Sequence, residues 1–132
     1  MPTYLAPDWV AAWADAVRAA GPQLLEAAGG EELSLTVEVV DDDGTEPVRY
    51  HLQLADGRVD AGPGPARPTR LTFRQDRTTA ARVARGELNA QQAFLAGGLE
   101  VHGDVRLLVR CQEVFRALDH ALEPVRAATV WP

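Results

Sequence analysis

Side chains able to do chemistry are few in this 132-residue chain, and they are scattered. Three histidines, His51, His102 and His120, and a lone thiol, Cys111, are the candidates for acid–base or nucleophilic work. A Cys–His pair would make an activated nucleophile. Cys111, however, falls on the apolar stripe of a helix-patterned run, where a thiol is buried and inert. His51 and His102 occupy the polar positions of alternating runs, and His120 lies near a helix end, where a cation is favoured. Asp41-Asp42-Asp43-Gly44 invites a calcium reading, but consecutive carboxylates at a turn do not converge on one ion. The alternating ligand spacing of an EF-hand is also missing, so the run reads as a polar turn. No catalytic or metal-ligating constellation emerges, and no cofactor is expected.

Composition narrows the partners further. The net charge of −6 argues against nucleic acid, whose affinity rests on basic patches. All thirteen basic residues are arginine, which together with the abundant Ala, Gly and Pro points to a GC-rich bacterial coding sequence. No apolar run approaches the ~18 residues of a membrane span. The first residues, MPTYLAPDWV, lack the pattern of a secretory signal. One cysteine cannot form an internal disulfide, which fits a reducing cytoplasm. The length suits a single domain, 1–132, with one core.

Periodicity supplies the elements. Asp8 opens a helix to about Ala20, with Trp9, Val10, Trp13 and Val17 at helical spacing. Gly21-Pro22 breaks it, and a further turn or two to Ala28 completes an N-terminal helical segment, 8–28. Trp9 and Trp13 form either a core-facing ridge or a pair for transient membrane contact. The anionic charge argues against strong attraction to acidic head groups. Leu33, Leu35, Val37 and Val39 alternate with polar residues, as do Val48, Tyr50, Leu52 and Leu54. Asp42-Asp43-Gly44 turns between these runs, and Asp56-Gly57 leads to a third short strand near 58–61. Gly62 to Pro68 reads as a crossing loop, Leu71 and Phe73 mark a fourth strand, and Leu99 and Val101 a fifth. Each strand has one apolar face, so helices must roof the sheet. These are the N-terminal helix, a pair between Thr78 and Ala96, and a last helix from Asp104 to about Ala127. That last helix carries Leu108, Cys111, Phe115, Leu118 and Leu122 as its stripe. The expected fold is α+β, a five-stranded, mostly antiparallel sheet with one face covered by helices, the sheet and its later helices spanning 33–127.

The stretch Gly86 to Asp104, GELNAQQAFLAGGLEVHGD, orders these pieces closely. A helix stops at Gly86 after Arg82 and Arg85, Asn89 caps a short helix, and Gly97-Gly98 ends it. Leu99–His102 forms a strand, and Asp104 caps the final helix. This order resembles the sterol carrier protein 2 (SCP2) family of lipid carriers. Gln91, Ala93, Phe94, Gly97, Leu99, Val101, Gly103 and Asp104 match its pattern. The family's basic strand residues are replaced by Gly98, Glu100 and His102, and its proline before the Gln by Ala90. The resemblance covers roughly Leu33 to Leu122.

The resemblance implies a tunnel between sheet and helices that takes a fatty acid, acyl thioester, sterol-like or isoprenoid lipid. Each methylene moved from water into such a site gains ~0.8 kcal/mol. The expected lining is Phe73, Val83, Phe94, Leu95, Val101, Leu108, Phe115 and Leu118, with ordinary core as the alternative for each. Gln91 is the polar candidate for a head group, or else a solvated neighbour of Gln92. Arg82, Arg85 or Arg110 at the mouth would pair with a carboxylate, or simply complement a helix dipole. The function implied is a non-catalytic cytoplasmic lipid carrier. The rivals are an accessory domain that presents a hydrophobic substrate to a partner enzyme, and an enzyme using Cys111 or a histidine. Sequence leaves the oligomeric state open.

Overall fold

A computed structural model of the chain describes residues 1–41 and 43–132; Asp42, part of the expected turn, lies outside the described residues. Two helices come first, α1 (Pro7–Ala19) and α2 (Gly21–Ala28). Pro7 rather than Asp8 starts α1, because proline's fixed φ and missing N–H suit the first helical position. Asp8 instead accepts a hydrogen bond from the backbone N–H of Trp9. Gly29, with φ of 56°, closes α2 in the left-handed conformation.

Five strands follow: β1 (Leu33–Val40), β2 (Val48–Ala55), β3 (Arg58–Pro63), β4 (Leu71–Asp76) and β5 (Leu99–Gly103). They form one sheet in the order β3-β2-β1-β4-β5, and every neighbouring pair is antiparallel except β1–β4. The α+β reading therefore holds, as a mixed sheet. The parallel pair follows from the connection after β3, which must cross the sheet to place β4 beside β1.

Register shows why alternation was the right signal. Tyr50, Val37, Phe73 and Val101 stand abreast across β2, β1, β4 and β5, and Ala61, Leu52, Leu35 and Leu71 form the row beside them. This apolar face meets Trp9, Val10, Trp13, Val17 and Leu24 from α1 and α2, and Ala80, Ala81, Ala93, Leu107, Cys111 and Val114 from the later helices. Those helices are α3 (Arg77–Ala84), α4 (Ala90–Leu95), α5 (Val105–Arg110), α6 (Gln112–Ala121) and α7 (Glu123–Ala128).

Two expectations need correction here. The last helix is not continuous: it breaks at Cys111 and again at Leu122, with Pro124 in the first turn of α7, where proline is tolerated. Asp104 makes no side-chain cap; its carboxylate lies 3.5 Å from Arg70 and 3.6 Å from Arg110, and two cations outcompete one backbone N–H. Asn89, by contrast, caps α4 as expected, in a reciprocal capping box with Gln92.

The second face of the sheet is only partly wet. The crossing loop buries Ser34 and Thr36 on β1: Thr36 Oγ1 accepts from the Ala66 N–H and pairs with Thr69 Oγ1, and Ser34 Oγ accepts from the Arg70 N–H. His51 Nδ1 sits 3.0 Å from the Gly64 carbonyl oxygen. Further along, Glu38 lies between Arg49 at 2.8 Å and Arg74 at 3.0 Å, and Arg74 also reaches Glu100 at 3.6 Å. Such networks exceed an isolated surface pair. Glu38→Gln is expected to lower unfolding free energy by about 1 kcal/mol. Urea titration would check it, and an unchanged midpoint would mean the ladder contributes nothing.

Candidate functional site

The helices do not roof the sheet evenly. α1 and α2 pack on β3 at one edge, whereas at the other edge α4 alone packs closely on β5. Val101, the inward residue at the middle of β5, is accordingly only half-buried. Next to it in register is Phe73 of β4, which stacks on Phe115 of α6 with ring centroids 5.6 Å apart. Phe73 is buried and Val101 and Phe115 are partly buried, so apolar side chains stand at the thinly covered edge. Val83 on α3, Leu108 on α5 and Leu118 on α6 are half-buried against the same core.

Other residues expected in the lining stand elsewhere. Ala93 is the residue of α4 that turns into the core, so Phe94 and Leu95 face outward, 49% and 76% exposed. Gln91 is exposed as well. Arg82 and Arg85 lie near Glu87, and Arg110 pairs with Glu31 and Asp104. Trp9 and Trp13 are core residues, Trp13 meeting Tyr50 edge-to-face at 4.7 Å.

Buried polar atoms add a feature that sequence reasoning missed. Gln75 continues the inward row of β4 between Val39 and Leu99, and its Oε1 is buried without a protein partner. Tyr4 is equally buried, its hydroxyl unpartnered, wedged between Trp9 and Trp131 with centroids 4.9 and 5.1 Å away. Arg85 lies over the Trp131 ring at 5.8 Å, its Nε 3.4 Å from Glu87 Oε1 in an ion pair that lacks hydrogen-bond geometry. Burial pushes the Tyr4 hydroxyl far above the ordinary tyrosine range, only partly opposed by Arg77 and Arg85, so it stays a neutral donor. Unpaired buried polar groups are rare and each needs a cause. The signal for Gln75 was available, namely a polar residue at inward parity after Leu71 and Phe73.

No arrangement for covalent chemistry forms among the described residues. Cys111 is fully buried, and burial, with Glu31 nearby, raises its pKa against the opposing Arg110 and Arg70. A raised pKa keeps the thiol protonated at neutral pH, so nucleophilicity is suppressed. We expect thiol reagents to label Cys111 only as fast as the fold opens. Rapid labelling of the native protein by Ellman's reagent would overturn this. His102 and His120 are exposed beside Glu100 and Glu123. Among the described residues no three His, Cys, Asp or Glu are placed to hold a metal ion. Among them, too, no helix is long and apolar enough to cross a membrane.

The protein also has two open recesses. One, of about 330 Å³, runs between α2 and the β2–β3 turn, lined by Leu25, Glu31, Glu32 and Leu54 among others. The second, of about 510 Å³, is walled by charged groups including Arg85, Arg116, Asp119 and Arg126. The first mixes Leu25, Ala28, Leu54 and Ala55 with three carboxylates, the second is largely charged, and neither includes any of the eight apolar residues expected in the lining.

Comparison with known proteins places the architecture. The family model of the SCP-2 sterol transfer family matches residues 15–116. A conserved hypothetical protein of Thermus thermophilus, described as possibly a sterol carrier protein, superposes with a TM-score of 0.72 at 22% identity, covering 95% of this chain and 91% of that one. The crystal structure of a sterol carrier protein 2 gives 0.71 at 22% identity, over 89% and 95%. A UbiJ-SCP2 ubiquinone synthesis protein gives 0.55 at 19% identity, over 92% and 95%. At these identities the structures establish the fold alone.

Proposed function

The chain belongs to the SCP-2 sterol transfer family, and from that premise we propose that it is a non-catalytic carrier holding one hydrophobic ligand between the β4–β5 edge and the helices above it. The observation that carries this reading is the incomplete roof over Val101, where the Phe73–Phe115 stack offers apolar walls. A ligand body seated there gains ~0.8 kcal/mol for each methylene removed from water. The unpartnered Gln75 Oε1 and Tyr4 hydroxyl are one acceptor and one neutral donor inside the core, suited to a hydroxyl, carbonyl or thioester head. The ligand classes that fit are fatty acids, acyl thioesters, sterol-like lipids and isoprenoids. The lone cysteine suits a cytoplasmic carrier, and the net charge of −6 suits one that ignores nucleic acid.

A second reading has one observation in its favour. The likeness in fold to a protein named for ubiquinone synthesis is consistent with a domain that presents a hydrophobic substrate to a separate enzyme.

Native mass spectrometry of freshly purified protein, with solvent extraction, tests the carrier reading. A discrete adduct that extracts as lipid is expected. Added ligand at a hundred times its Kd should then raise stability by about 2.7 kcal/mol. A clean apo mass, with no thermal shift on adding any of the four classes, would overturn it. A finer test uses Gln75→Leu, which removes a buried unpaired oxygen and is expected to stabilise the empty protein by about 1–2 kcal/mol. The same change should weaken binding of a polar-headed lipid roughly tenfold, since that head loses its partner. Unaltered affinity would exclude Gln75 from the site.

A further inference from the structure

Large apolar side chains exposed on this molecule cluster in few places. Apart from Met1 and Val130 near the termini, they are Phe94 and Leu95 on α4 and Val105 and Val109 on α5, the two helices that flank β5 in sequence. Phe94 and Leu95 sit in a stretch, Leu88 to Leu99, that carries no charged residue, in a chain that is 24% charged. Several of the backbone groups at the ends of α4 are also paired. The Asn89–Gln92 capping box satisfies the N–H groups of Asn89 and Gln92, and backbone bonds from Ala96, Gly97 and Gly98 pair the carbonyls of Gln92, Phe94 and Ala93. A helix so capped, without charge, enters an apolar medium at a lower desolvation penalty than an uncapped, charged one.

From these features we propose that α4 is the membrane-contact element of this protein, inserting Phe94 and Leu95 into the interface of a lipid bilayer. The inference rests on the carrier reading, since α4 packs on β5, the strand at the proposed ligand edge, and bilayer contact there would shorten the ligand's path. A bilayer is the occupant favoured over a second copy of the chain. Two side chains on a six-residue helix present far less than the ~800 Å² per partner of a stable protein interface. The Trp9–Trp13 ridge is not available for the role, because both indoles are buried in the core. Nor is attraction to anionic head groups, because the protein itself carries −6. The contact is therefore apolar, and stronger on zwitterionic than on acidic membranes.

The test is flotation of the full chain with phosphatidylcholine vesicles, and with vesicles one-third phosphatidylglycerol, comparing wild type with Leu95→Glu and Leu95→Ser. Both variants lie at an exposed site, 76% exposed in the wild type, and circular dichroism is the check that they fold. Wild type should float with phosphatidylcholine, less with phosphatidylglycerol, and little differently at high salt. Leu95→Glu should reduce partitioning by about tenfold or more, and Leu95→Ser by somewhat less. Failure of wild type to float, equal flotation of all three proteins, or tighter binding to phosphatidylglycerol would overturn the proposal. So would a wild-type dimer in size-exclusion chromatography that Leu95→Glu converts to a monomer. Native mass spectrometry of the same samples separates the two ideas. Leu95-dependent flotation by a protein that never carries lipid would sink the carrier reading and leave the contact surface standing.

Discussion

Gly103→Ala is expected to lower the melting temperature by roughly 10–20 °C and to abolish the proposed lipid binding with it. Gly103 ends β5 with a φ of 103°, a backbone conformation that side-chain-bearing residues reach only under strain. A Cβ there would press into the carbonyl oxygen of Arg70 and lie 3.1 Å from its carbonyl carbon. The same oxygen accepts the Asp104 N–H at 2.9 Å, so the clash falls on the bond that turns the chain into α5. Backbone strain of ~1–3 kcal/mol and a comparable steric term add to about 3–5 kcal/mol. Relief can come only by moving β5 away from β4, which separates Val101 from Phe73 and takes apart the proposed site. Differential scanning calorimetry of the variant decides the matter. A fall of less than a few degrees would mean that the β4–β5 end at Arg70 and Asp104 yields easily.

Trp13→Ala carries a comparable penalty by a different route. Trp13 is 4% exposed and meets Tyr50 edge-to-face, while Trp9 meets the same ring at 5.5 Å. Burial also holds the Tyr50 phenol neutral far into alkaline pH. Removing the indole leaves a cavity between α1 and β2 and forfeits an aromatic pair, about 3–5 kcal/mol together. Urea unfolding should show it, with Trp13→Phe losing much less. Stability unchanged within about 1 kcal/mol would mean that α1 is not part of the cooperative core. Because Trp13 lies far from the apolar tip of α4 in sequence and inside the fold, no vesicle should shift its emission in the native protein.

Residues that are regular over several periods were the legible ones. Leu33 to Val39 and Val48 to Leu54 alternate cleanly, and in the structure they pair residue for residue on one face. Asn89 was legible as a cap because capping depends on its near neighbours alone. The breaks at Cys111 and Leu122 were hidden because one apolar stripe runs on through them. In α4 the opposite problem arose. Six residues are too few to phase a helix, so Phe94 and Leu95 passed for lining while Ala93 took the inward position. Ser34 and Thr36 sit at solvent parity, and only the path of a distant loop buries them. Tyr4 owes its place to Trp131 at the far end of the chain, a contact that no local pattern announces.

The parallel pairing of β1 with β4 has a consequence for how the molecule is made. During synthesis β1 and β2 can close as a hairpin, yet the other side of β1 stays open until β4 arrives. β1 ends at Val40 and β4 begins at Leu71. At about 5–20 residues per second, a nascent chain on the ribosome carries that open edge, with Leu35, Val37 and Val39 behind it, for seconds. An unpaired apolar strand is a template for aggregation. The strand that ends at the centre of the finished sheet is thus its most vulnerable part while the protein is being born.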